Sequence, residues 1–320
     1  MKVFVAGASG AMGRQLVPRL VRAGDEVHAM TRSESKQPML RELGAVPVVA
    51  DALDAEQVAS AVAAAEPDVV VHQLTAIGPM DLRHFDRAFA LTNRLRTEGT
   101  DHLLSAAQAV GVRRFVAQSF FAGYDRVGAM VKSEDDAFGH TPPSGMEQTV
   151  AAIKHVEDAV RAATWTDGLV LRYGGFYGPH TSLGPDGEQT VAVRQRKMPL
   201  VGRGQGVWSF IHIADAADAT VAAVERGAPG VYNVVDDEPA AVSTWLPYLA
   251  EVLGAKKPLR VPVWLARMIA GETGVVMMTD LRGASNAKAK RELGWAPAHA
   301  TWRDGFRELS APTSLQIGAA

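Results

Sequence analysis

The chain has 320 residues, 33 Lys+Arg against 35 Asp+Glu, a net charge of -2 and no cysteine. Hydrophobic residues make up 47%, enough apolar surface for a folded core, which excludes a disordered chain, and the near-neutral balance lacks the concentrated basic face of a nucleic-acid binder. Without cysteine there is no disulfide, no thiolate nucleophile and no cysteine-held zinc or iron–sulfur site.

Met1-Lys2-Val3-Phe4-Val5 enters a strand-like segment at once, unlike a signal peptide, and no apolar run approaches the roughly 18–20 residues that span a bilayer. A cytoplasmic protein without membrane contact is expected. In chain order, strands are predicted at 2–6, 26–30, 46–50, 68–72, 113–118 and 168–172. Helices are predicted near 11–23, 55–65, 85–110 and 146–163. Uninterrupted apolar runs such as Val69-Val70-Val71 suit a parallel sheet covered on both faces. Strands alternating with helices predict an α/β fold with a doubly wound sheet. After Arg172 the pattern turns irregular, with Gly174, Gly175, Gly178, Pro179 and Gly184 in one loop. A strand and helix near 206–227 and a strand at 231–235 then lead back toward the first lobe.

The strongest local signal is Gly7-Ala8-Ser9-Gly10-Ala11-Met12-Gly13, directly after the first strand and opening a helix. Gly7 and Gly10 allow the backbone to turn toward a pyrophosphate, and Gly13 allows the helix to pack close to the sheet. The helix N-terminus would then face the phosphates. This spacing resembles the short-chain dehydrogenase/reductase superfamily, in its extended, epimerase/dehydratase-like and atypical branches. Further matches follow in order: Ala50-Asp51-Ala52-Leu53, His72-Gln73-Leu74-Thr75-Ala76, Gln118-Ser119, Leu171-Arg172-Tyr173-Gly174-Gly175-Phe176-Tyr177-Gly178-Pro179, Phe210-Ile211-His212-Ile213-Ala214-Asp215, Gly230-Val231-Tyr232-Asn233-Val234 and Ser285-Asn286-Ala287-Lys288. The resemblance implies a Rossmann-like dinucleotide-binding domain over 1–172 plus about 206–236. It implies a smaller substrate lobe from about 173–205 and 237–320. It also implies a homodimer through the helices near 92–110 and 146–163, where Ala106, Ala107, Ala151, Ala152, Ala159 and Ala163 would permit close approach.

Ser9, Thr31, Asp51, Ala52, Leu53, Leu74, Thr75, Ala76, Gln118, Tyr173 and Phe176 join the glycine loop as expected cofactor contacts. An acid at the end of the second strand would select NAD; an arginine there accommodates the extra phosphate of NADP. Thr31-Arg32-Ser33 stands at that point with no acid, so NADP(H) is expected, with NAD(H) the alternative.

The family's catalytic pair is a Tyr with a Lys four residues later on one helix face, the Tyr serving as general acid/base. None of Tyr124, Tyr173, Tyr177, Tyr232 and Tyr248 has a Lys four residues on. On the helix near 146–163, matching Lys154 to the family Lys puts Val150 at the Tyr position. Matching Glu157 to the family's downstream Glu puts Thr149 and Ile153 at the pair. The helical Asn of the active site is also displaced: Arg96 takes its place, with Asn93 one turn earlier. Ser119 remains. Tyr124, five residues beyond Ser119, is the expected substitute acid, with Tyr177 and His180 approaching from the loop after the sixth strand. The alternative is hydride transfer without a positioned Tyr, to an acceptor already polarised, such as an iminium, an activated alkene or an epoxide.

Sugar-nucleotide members carry Arg-Asp where this chain has Trp208-Ser209. With Phe120, Phe121, Met146 and Tyr177 at the expected mouth, this predicts a small, largely apolar carbonyl, imine, alkene or epoxide substrate. No His and carboxylate spacing suggests a metal. The expected activity is an NAD(P)H-dependent reductase. The alternatives are an NADP-sensing regulator without turnover, or an epimerase/dehydratase with tightly bound NAD.

Overall fold

The computed structural model describes residues 1–309; residues 310–320, the end of the segment expected to complete the late lobe, lie outside the described residues. Seven parallel strands form one sheet: β1 (Lys2–Ala6), β2 (Glu26–Thr31), β3 (Val46–Val49), β4 (Val69–His72), β5 (Arg114–Phe120), β6 (Asp167–Tyr173) and β7 (Gly230–Val234). Their order is β7-β6-β5-β4-β1-β2-β3. Growth reverses between β1 and β4, which opens a crevice beyond the carboxyl ends of the strands, where ligands bind in such sheets.

The helices are α1 (Ala11–Arg22), α2 (Ala55–Ala65), α3 (Ala90–Arg96), α4 (Glu98–Ala109), α5 (Glu147–Ala162) and α6 (Ile213–Glu225). On one face Leu16, Val17 and Leu20 of α1 pack with Ala216, Ala219 and Ala223 of α6. On the other, Val58, Val62, Leu103, Val156 and Val160 of α2, α4 and α5 cover Phe4, Val70 and Phe115. A third cluster, including Phe210, Trp245, Trp302 and Phe306, gathers the late segments. Of the alanines assigned above to a helix–helix contact, Ala106, Ala107, Ala152 and Ala163 are buried within the chain, and Ala151 is exposed. Among the described residues no helix is long and apolar enough to cross a membrane.

Two differences from the predicted elements matter for the site. The continuous helix expected over 85–110 is three pieces, Phe85–Ala88, α3 and α4. The last break falls at Thr97 (φ -93°, ψ -81°), whose hydroxyl donates back to the Asn93 carbonyl, a local bond that competes with helix propagation. β5 runs on to Phe120, which places Ser119 inside the strand. At the first βα turn, an ideal Cβ on Gly13 would overlap the Ala8 backbone. Gly13→Ala is expected to push α1 off the sheet and cost about 1–3 kcal/mol, read as a lower urea midpoint at unchanged slope.

Candidate functional site

A cavity of about 700 Å³ opens at the carboxyl ends of the strands, within the size range of small-molecule sites. Its floor is the glycine turn: Gly7, Gly10, Ala11 and Met12 line it. Gly7 has φ +90°, and a Cβ there would lie 2.5 Å from the Gln73 carbonyl oxygen, so the turn passes directly over the end of β4. No side chain caps α1 and no acid stands in its first turn, which leaves its amide groups and positive dipole end to an anion. These features fit a dinucleotide pyrophosphate.

Of the other expected cofactor contacts, Thr75, Ala76, Gln118, Tyr173 and Phe176 line the cavity. Tyr173 is held there by hydrogen bonds with Gln73 and Thr220. Ser9 and Thr31 bond to each other at 3.1 Å behind the turn. Asp51 is exposed and accepts from the Leu53 amide at 3.0 Å, tying a turn that also holds Ala52. These residues, Gly13, Arg32 and Leu74 stand outside the cavity lining. Arg32 is exposed at the end of β2, without a hydrogen bond or ion pair among the described residues.

Of the expected substrate contacts, Phe120, Met146, His180 and Trp208 line the cavity. Trp208 is anchored by its indole N–H to the Met277 carbonyl at 2.8 Å. Phe121 and Tyr177 do not line it, and both are fully buried. Phe121 turns into the late-segment core as a short 3-10 turn ends β5. Tyr177 packs edge-on against Phe306 and His212.

Tyr124 also requires correction as a candidate acid. It is absent from the cavity wall, 4% exposed and packed edge-on against Phe138. Its hydroxyl donates to Asn233 at 2.8 Å and accepts from Arg172 at 2.9 Å. Burial pushes its pKa up to about 12. Arg172 in turn clamps Glu157 through two bonds of 2.8 and 2.6 Å. Tyr124 is therefore a strut of a buried network and stands outside the lining of the large cavity.

Ser119 does line the cavity, and its hydroxyl donates to Glu157 at 2.5 Å. On α5, Thr149, Val150 and Ile153 face the cavity, whereas Lys154 pairs with Asp158 at the surface. Of the two registers, the Glu157-based one has both of its positions, Thr149 and Ile153, on the cavity wall, and the Lys154-based one has Val150 there and its Lys at the surface. The Thr149 hydroxyl donates to Asp86 at 2.7 Å and accepts from Asn93 at 3.1 Å. Asp86 also accepts from the amides of Gln148 and Thr149, capping α5 from a distant segment. Asp86, Gln73, Phe85 and Phe89 shape the site and were missed from sequence. Gln73 had a signal, following a strand end; Asp86 and Thr149 are too far apart in sequence to show one.

Arg96, at the end of α3, lines the same wall. Burial lowers its pKa to about 10, which leaves it charged at neutral pH. His72 beside it falls to about 3 through burial and then the arginine's charge, so it is neutral. Elsewhere His212, Asp215 and His299 come together, a grouping that no sequence spacing suggested. Asp215 there accepts from the amides of Ala298 and His299 and from the His299 ring, as a clasp on the late segment.

Tyr124→Phe is expected to cost about 1–2 kcal/mol of stability by stranding part of the Arg172 and Asn233 network, with NADPH affinity unchanged. A tenfold loss of NADPH binding would put the phenol in the site after all.

Residues 3–234 match the NAD dependent epimerase/dehydratase family. A 3-diazoavenalumate denitrifying reductase from a Streptomyces species is 46% identical over 309 residues, covering 96% of this chain and 99% of the relative. A 4-hydroxy-2-methyl-3-oxo-4-farnesyl-3,4-dihydroquinoline-1-oxide ketoreductase from Stigmatella aurantiaca is 28% identical and covers 92% of each chain. Among solved structures, the Thermus thermophilus UDP-glucose 4-epimerase in complex with NAD superposes with a TM-score of 0.74 at 23% identity, over 100% of both chains. A human epimerase family protein with NADPH gives 0.73 at 20% identity, covering 97% of this chain and 99% of that one. The chain belongs to the NAD-dependent epimerase/dehydratase family, as a nicotinamide-dependent oxidoreductase of the short-chain dehydrogenase/reductase type.

Proposed function

We propose that the protein is an NADPH-dependent reductase whose hydride acceptor is already strongly electrophilic, foremost an aromatic diazonium (diazo) compound that loses dinitrogen. One observation carries this reading. Two hydroxyls of the cavity wall give their protons to protein carboxylates, Ser119 to Glu157 and Thr149 to Asp86. Ser119 then presents only lone pairs to a ligand, and Thr149, which also accepts from Asn93, has one lone pair left. Ketone reduction needs a proton delivered to the developing alkoxide; a diazonium group needs none at that point. The relative at 46% identity is named for denitrifying reduction of a diazo compound.

In this reading Gly7, Gly10, Ala11 and Met12 hold the pyrophosphate on the start of α1. Thr75, Ala76, Gln118 and Tyr173 frame the rest of the cofactor. Phe120, Phe176 and Trp208 exclude water and flank an apolar ring, with Met146, Val150 and Ile153 opposite. The bound nicotinamide supplies the hydride, and each turnover converts one arenediazonium and one NADPH to the arene, N2 and NADP+. Ser119 turns its oxygen lone pairs toward the cationic diazonium group and positions it.

Purified protein with NADPH and a panel of arenediazonium salts is expected to release one N2 per NADPH oxidised. Turnover of simple ketones without any N2 release from the panel would reject the diazo reading.

Arg32 supports NADPH as the preferred cofactor, since it stands exposed at the end of β2, without a partner among the described residues and with no acid at the strand end. Arg32→Ala is expected to weaken NADPH binding about tenfold or more, a single phosphate contact being worth about 1.5–3 kcal/mol, and to leave NADH unchanged. An equal change for both cofactors would remove Arg32 from that role.

A further inference from the structure

Arg96 is 7% exposed, and its guanidinium has no hydrogen bond or ion pair among the described residues. The other buried arginines are matched. Arg172 holds Glu157; Arg114 meets Asp167 and the carbonyls of Ala223, Arg226 and Gly227; Arg282 meets Asp280 and the Arg126 carbonyl. An uncompensated buried charge is strongly destabilising, so a site that keeps one is complete only when a ligand brings the opposite charge. Arg96 lines the cavity, and its Nη1 is enclosed without a partner.

The ligand's charge is negative, and its place in the cavity narrows its identity. The pyrophosphate is provided for by the uncapped start of α1. Arg96 stands on the wall formed by α3 and α5. Asn93, one turn before it, donates to Thr149, and Ile153 and Met146 share that wall. The cavity is lined mostly by apolar side chains, and the other charged group in the lining, Glu188, is held by the Met80 amide. A planar guanidinium in apolar surroundings suits a carboxylate, which it can grip through two parallel bonds.

We propose that Arg96 is the carboxylate receptor of the substrate chamber and that the reductase acts on an aromatic acid, gripped at its carboxylate by the guanidinium. This rests on the reductase reading above and adds the anchoring group. Arg96 binds and orients; no proton moves at it.

The test is equilibrium binding to the protein–NADPH complex, read by NADPH fluorescence, with cinnamate as the probe and cinnamamide as its uncharged match. Wild type is expected to bind cinnamate saturably and at least about tenfold more tightly than the amide, as for a hydrogen bond to a charged group. Arg96→Gln should bring cinnamate down to the amide's affinity, Arg96→Lys should restore part of the difference, and NADPH affinity should hold within about twofold. Arg96→Gln should also melt no lower than wild type, because it removes an unpaired buried charge. Three results overturn the proposal: no cinnamate binding, equal binding of acid and amide by wild type, or a loss in Arg96→Gln that falls on NADPH instead. The wild-type comparison needs no variant to fold. The binding readout needs no turnover, so failure to release N2 would reject the diazo reading alone.

Discussion

The ion pair between Glu157 and Arg172 sets the arrangement on which the site depends. Both side chains are 4% exposed and joined by two short bonds. Each would be a severe cost without the other, so the helix carrying Glu157 can face the sheet in one way only. Residues four and eight positions earlier share its face, which brings Ile153 and Thr149 to the cavity and turns Lys154 out to Asp158. The same carboxylate takes the Ser119 proton, and the same guanidinium binds Tyr124. One buried contact therefore positions the α5 wall and ties it to β5, β6 and β7.

That arrangement gives the chamber its chemical character. The hydroxyl protons of Ser119 and Thr149 are spoken for by Glu157 and Asp86. The remaining wall is mostly aromatic and aliphatic, with Phe120, Ile153, Phe176 and Trp208 among its members. Electrostatic effects are strong where water is excluded, and Arg96 brings the guanidinium of the cavity lining to the α3–α5 wall. Its position depends on the break at Thr97, which ends α3 at Arg96 and starts α4 in a new direction.

The parallel sheet and the glycine turn were readable from the chain because their causes are local. Apolar runs such as Val69-Val70-Val71 specify buried strands, and Gly7 and Gly13 stand where backbone must pass close to backbone. The helix break at Thr97 was not readable, because a hydroxyl bonding back to Asn93 leaves no periodic trace. Nor was the fate of Tyr124, Phe121 and Tyr177. All three follow strand ends, where a ligand-facing direction is plausible, but their directions are settled by partners far along the chain: Asn233, the late-segment core and Phe306.

By itself the sequence determined the fold class, the dinucleotide turn, the absence of the Tyr and Lys pair and the arginine at the end of β2, because each is a matter of residue type at a short spacing. Only the tertiary structure decided which face of α5 meets the cavity, where the Ser119 and Thr149 protons go and that Arg96 has no partner among the described residues. Those outcomes come from contacts between segments tens of residues apart, such as Asp86 with Thr149 and Ser119 with Glu157. A buried charge or hydroxyl takes its meaning from the partner that folding brings to it.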